Sequence, residues 1–244
     1  MGSMRGKGKQ MKNNIKTNNK IIIIDWEFNG LPKFNFKAEI SQCKLAIIEN
    51  NKIIYKLYNF KTRKAPQYGA LNKTGTITGT KLFSQKQWEI IKKENNITNE
   101  DNFIGFSIKT DNTILNTYGI NLNYTCDLQE IATATRYERD IALNGRAMES
   151  IYFLVCGQEF QENHGGIEEL YPLVKLYKKL KNLRKKKFFT IFPYGEYAGM
   201  PLKAYCENYR RRADGYRFNN NDKLAESLSH YCEIIDEEEY NSYL

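Results

Sequence analysis

Only two histidines occur in the 244 residues, no two cysteines stand in CxxC spacing, and no apolar stretch approaches membrane-spanning length. A bilayer-crossing helix needs roughly 20 apolar residues, whereas the longest uniform run, Ile21 to Ile24, is four residues long. No apolar segment backs the basic N-terminal residues as a secretory signal would require, so a cytoplasmic protein that avoids membranes is expected. The five cysteines (Cys43, Cys126, Cys156, Cys206 and Cys232) are odd in number and dispersed. That pattern supports neither a zinc site nor a redox motif, and it fits reduced, buried thiols. No internal repeat is visible.

What the sequence does hold is positive charge and aromatic surface. Lys and Arg number 37 against 28 Asp and Glu, a formal +9 that favours a polyanionic partner. Seventeen Tyr and 13 Phe give enough apolar area to exclude a wholly disordered chain. Residues 1–20, basic and almost without apolar side chains, read as a disordered tail. Residues 21–185 read as one α/β domain, and 186–244 as a small C-terminal module.

The β-branched run Ile21–Ile24 suits a strand covered on both faces. Lys44–Ile48 and Lys52–Phe60 read as second and third strands joined at Glu49-Asn50-Asn51, Phe103–Phe106 as a fourth and Tyr124–Leu128 as a fifth. Together they predict a mixed five-stranded sheet. Ser84 is placed to cap a helix reaching Glu94, and a short helix over Thr113–Tyr118 closes at Gly119. Helical stretches flank Asn144-Gly145. Ile167, Leu170, Tyr171, Val174 and Tyr177 repeat at helical spacing, with Lys175, Lys178, Lys179 and Lys181 on the other face.

Chemistry-bearing residues fall at the joints of these elements. Asp25 and Glu27 flank Trp26 directly after the first strand, and alternation turns both carboxylates to one face. Two neighbouring anions raise each other's pKa unless a cation lies between them, and Mg²⁺ or Mn²⁺ suits oxygen ligands. From the pair alone, a water-facing strand end is the favoured reading. Asp111 heads the short helix, as a cap or as a further ligand. His164, in Asn163-His164-Gly165-Gly166, stands five residues before Glu169 at the start of the amphipathic helix; a helix-start His with solvated Glu partners is the alternative. Arg210, Arg211 and Arg212, set among Tyr205, Tyr209 and Tyr216, suit single-stranded nucleic acid or a solvated helix face.

The segments IIIIDWEFNGL, NFIGFSIKTDNTIL and NHGGIEEL, in this order and context, resemble the DEDDh (DnaQ-like) 3′–5′ exonuclease superfamily over residues 20–182. The resemblance implies an RNase H-like α/β fold, a mixed five-stranded sheet flanked by helices. It implies two Mg²⁺ or Mn²⁺ ions about 3.5–4 Å apart, held by Asp25, Glu27, Asp111 and Glu169, with His164 as general base. The expected reaction releases nucleoside 5′-monophosphates from the 3′ end of single-stranded DNA or RNA. Trp26, Phe28, Asn29, Gly30 and Leu31 would border the terminal nucleotide, and Phe28 reads equally as core. Two departures stand out: Gly166 replaces the usual Ala, and Glu169 the usual Asp. A shift of about 1 Å at a catalytic group can cost around a hundredfold in rate. A nucleic-acid-binding protein without turnover is therefore the first alternative, and a nuclease of small or cyclic oligonucleotides the second.

Overall fold

The computed structural model describes residues 20–30, 38–63, 79–161, 166–216 and 222–242. Five strands form one mixed sheet: β1 (Ile21–Phe28), β2 (Ile40–Glu49), β3 (Lys52–Asn59), β4 (Asn102–Gly105) and β5 (Tyr124–Asp127). Their order is β3-β2-β1-β4-β5. The first three strands run antiparallel to one another, and β4 and β5 continue parallel to β1. The β2–β3 hairpin turns on Asn50 and Asn51, both at positive φ, a backbone region that Asn tolerates better than most residues.

Alternation along the central strand explains its isoleucines. Ile22, Ile24 and Trp26 point into one apolar cluster, which α1 (Gln85–Glu94) completes with Trp88 and Ile91, and α2 (Ile108–Asn116) with Ile114 and Leu115. Ile23 points the other way, into a cluster built by α3 (Leu128–Thr133), α4 (Glu138–Asn144), α5 (Met148–Cys156) and α6 (Leu170–Leu180). Helices thus cover both faces, the situation in which a strand reads as continuously apolar. Ser84 caps α1 as expected, its side chain accepting from the Gln87 N–H.

Two boundaries differ from expectation. β2 starts at Ile40 rather than Lys44, because the buried polar residues Gln42 and Lys44 have partners inside the fold; Gln42 Nε2 donates to Asn59 Oδ1 at 2.8 Å and Lys44 Nζ to Glu27 Oε1 at 2.6 Å. The helix predicted over Thr113–Tyr118 runs instead over Ile108–Asn116. Its start is fixed from outside, since the Asp127 carboxylate accepts from the backbone N–H groups of Ser107 and Ile108, both at 3.0 Å. The same carboxylate accepts from Gln129 N at 2.9 Å and so caps α3.

Beyond residue 188 a third cluster gathers Phe189, Phe192, Leu202, Tyr205, Leu224, Leu228 and Ile235 around α7 (Leu202–Tyr216) and α8 (Asp222–Ser242). Buried Glu138 of α4 ties this segment down. It accepts from Lys186 Nζ at 2.6 Å and from Thr190 N and Oγ1, each at 2.8 Å. All five cysteines are free thiols, and Cys43 and Cys206 are buried. Among the described residues no helix is long and apolar enough to cross a membrane.

Candidate active site

The face of β1 that carries Ile21 and Ile23 continues into Asp25 and Glu27, so the carboxylates stand where the apolar layer ends. Across the antiparallel ladder Asp25 is paired with Lys44. Directly opposed residues in such a pair project from the same face, which sets the Lys44 side chain between the two acids. On that face the 3₁₀ turn Ile167–Glu169 leads into α6, and the packing of α6 against the sheet lowers Glu169 onto the same point. One oxygen each from Asp25, Glu27 and Glu169 lies within 4.8 Å of the others.

Lys44 fills the centre of this group. Its ammonium donates to Asp25 Oδ2 at 3.0 Å, to Glu27 Oε1 at 2.6 Å, and to Glu169 Oε2. The Lys44 side chain is fully buried and Glu169 nearly so, while the Asp25 side chain keeps 29% of its surface exposed. Burial pulls the Lys44 pKa down, but the charges of Asp25 and Glu27 outweigh it and hold the ammonium above its usual value. Cys43, facing the opposite cluster, is pushed well up by burial and by the Asp25 charge.

Asp111 sits in the first turn of α2 and does not cap it, because the helix begins three residues earlier than Asp111 itself. Its carboxyl is raised well above the ordinary range, first by burial and then by the charges of Asp25, Glu27 and Asp127. Asp111 thus belongs electrostatically to the same acidic group. The donor chemistry fits a hard divalent cation, since carboxylate oxygens are the ligands such ions prefer. Its central space, however, is shared with an ammonium.

The expected substrate-bordering residues divide. Trp26 is core: it is 4% exposed and packs against Phe83 and Trp88 at ring-centroid distances of 5.7 and 5.6 Å. Strand alternation puts it on the face away from the acids. Asn29 is also structural: its Oδ1 accepts from Glu39 N at 2.7 Å and its backbone N–H donates to Glu39 O at 3.0 Å, clipping the end of β1 to the start of β2. Phe28 is half-buried against the Trp26 cluster, and Gly30 is buried in the bend that follows β1. Leu31 and His164 lie outside the described residues, as do residues 1–19, 74–78 and Arg217 and the side chains of Arg210, Arg211, Arg212 and Tyr216.

Two participants escape motif reading. Lys44 was visible only as the charged first residue of the predicted second strand, Lys44–Ile48. Asp127 appeared only as an acid within the predicted fifth strand, yet it positions the helix that carries Asp111.

No protein-family model and no curated protein matches the sequence. Solved structures do match the fold. A 3′-exonuclease, in a structure of its 3′-end-specific recognition of a histone mRNA stem-loop, superposes with a TM-score of 0.50 at 13% identity, over 69% of this chain and 85% of that one. A full-length 3′-exonuclease does so with a TM-score of 0.50 at 13% identity, over 69% and 63%. The fold is that of these 3′-exonucleases. The nuclease domain of 3′hExo, described as a DEDDh family member bound to rAMP, is similar at a TM-score of 0.49 and 12% identity, over 70% of this chain and 98% of that one. In this fold Asp25 and Glu27 occupy the end of the central strand, and Glu169 the 3₁₀ turn that leads into the helix packed across it.

Proposed function

We propose that this chain is a divalent-metal-dependent nuclease that removes nucleotides from the 3′ end of a single-stranded nucleic acid. The observation that carries the reading is the meeting of Asp25 and Glu27 with Glu169, which follows Lys44 by 125 residues in the chain. With Asp111 they would hold Mg²⁺ or Mn²⁺, which would supply charge neutralisation at the phosphate and a more acidic water. Asp25, the most open of the clustered acids, faces the approach side. His164 would take the proton of the attacking water, a role worth roughly 10²–10⁴-fold. The product would be a nucleoside 5′-monophosphate. The 3′-end recognition described for the similar exonuclease supports this choice of substrate. The catalytic unit is placed at 21–185 and a C-terminal module at 186–244, in accord with the separate cluster around Phe192 and Tyr205. The free thiols accord with a cytoplasmic setting.

The test is release of label from a 3′-labelled oligonucleotide by wild type and Asp25→Ala, with Mg²⁺, with Mn²⁺ and with chelator. Wild type should release mononucleotides only with metal, and Asp25→Ala should be slower by at least a hundredfold. Full activity in Asp25→Ala, or none in wild type under any metal, defeats the proposal. The buried Lys44 ammonium favours a second reading, a 3′-end-binding protein without turnover. Retention of the oligonucleotide by wild type in a filter-binding assay, with no label released, selects that reading.

A further inference from the structure

We propose that the Lys44 ammonium is a built-in cation that takes the position between Asp25, Glu27 and Glu169, so that the site accepts one divalent ion fewer than its carboxylates could otherwise hold. The inference rests on the nuclease reading only for which ions are in question; the position itself is argued from contacts.

A lysine ammonium has three N–H donors and no acceptor. Here all three have a carboxylate: Asp25 Oδ2 at 3.0 Å, Glu27 Oε1 at 2.6 Å and Glu169 Oε2. Nothing is left for it to donate. The root of the side chain is equally constrained, because Lys44 lies inside β2, paired to Asp25 on one side and to Leu57 on the other. Withdrawal has no favourable direction along the strand. Two residues on, the same face carries buried Ala46, packed with Ile23 in the apolar layer. Two residues back stands buried Gln42, whose amide is engaged by Asn59. Leaving the acids would therefore break three charge-assisted bonds together and strand a cation in an apolar or already occupied space.

Charge counting shows why one divalent ion is still attracted. Three carboxylates less one ammonium leave a formal charge of −2 among the clustered groups. That remainder gathers toward Asp25, the exposed edge of the group, and Asp111. A hard cation arriving there would find Lys44 already neutralising the Glu27–Glu169 side. The lysine thus supplies fixed positive charge beside the reacting phosphate, a task otherwise left to a second ion.

The experiment is titration of the full chain with Mn²⁺, read by calorimetry and by electron paramagnetic resonance, for wild type and Lys44→Met. Lys44→Met should take up one Mn²⁺ more per chain than wild type, and Mn²⁺ should raise its melting temperature further. Equal ion counts in the two proteins overturn the inference. Should Lys44→Met not fold, wild type alone decides through the ¹⁵N-resolved signal of the Lys44 ammonium. At saturating Mg²⁺ that signal should persist, protected from exchange with water; its loss into fast exchange means that the ion has expelled the lysine and refutes the proposal. The two readings fail separately. Metal-dependent degradation with equal ion counts sinks the Lys44 inference alone, whereas one ion fewer with no degradation under any metal sinks the nuclease reading alone.

Discussion

Replacing Lys44 by Met keeps an unbranched side chain, one heavy atom shorter, and removes its charge, so the perturbation is mainly electrostatic. Three hydrogen bonds to ionised partners vanish. At roughly 1.5–3 kcal/mol each their plain sum would be about 4.5–9 kcal/mol, but the ammonium is fully buried, and its desolvation offsets part of that. Removing one partner of a buried ion pair costs about 3–5 kcal/mol, because the remaining charge is left uncompensated. For a chain of this size that is a fall of about 6–20 °C in melting temperature. The assay is urea unfolding in chelator, followed by the fluorescence of Trp26 and Trp88, both buried in the cluster behind β1. The deficit should shrink as pH falls, since the carboxylates deprived of the ammonium can then bind protons and repel one another less. Adding Glu169→Gln to Lys44→Met should return part of the loss, a coupling that distant sites do not show. A Lys44→Met protein within about 1 kcal/mol of wild type near neutral pH would refute the reasoning, because removing a fully buried ammonium that holds three carboxylates must cost stability.

Asp111 is expected to behave in the opposite sense. Its pKa in the folded protein is raised by burial and neighbouring acids, so its ionisation weakens the fold as pH rises through that raised value and is neutral below the unfolded value. Asp111→Asn should therefore melt higher than wild type at mildly alkaline pH and equally at about pH 3, below the unfolded carboxylate range; calorimetry across pH checks both arms. Asp127→Ala removes the acceptor shared by the starts of α2 and α3. At about 0.5–2 kcal/mol per helix start, the loss in urea unfolding should be about 1–4 kcal/mol, and hydrogen exchange should rise at Ser107, Ile108 and Gln129. Trp26→Ala opens a cavity beside Phe83 and Trp88 and should destabilise by about 3–5 kcal/mol. A purely substrate-facing Trp26 would instead leave unfolding unchanged and weaken oligonucleotide binding.

Local pattern carried much of the architecture. The four isoleucines announce a strand covered on both sides, the hairpin asparagines mark its turn, and the Ile167–Tyr177 spacing marks the helix that crosses it. The common face of Asp25 and Glu27 also follows from alternation alone. Boundaries failed where distant groups intervene. α2 begins at Ile108 because a carboxylate 19 residues away accepts from its first N–H, and β2 reaches back to Ile40 because Gln42 and Lys44 find partners inside the fold.

The decisive feature of the site has no local signature. That Lys44 stands opposite Asp25 depends on the register of β1 against β2, and that Glu169 closes over both depends on how α6 packs against the sheet. Sequence could name the acids because a motif records residue type and spacing within one element. Only the folded chain could set an ammonium among them, because register and helix packing are settled by apolar contacts between segments that are neighbours in space and strangers along the backbone.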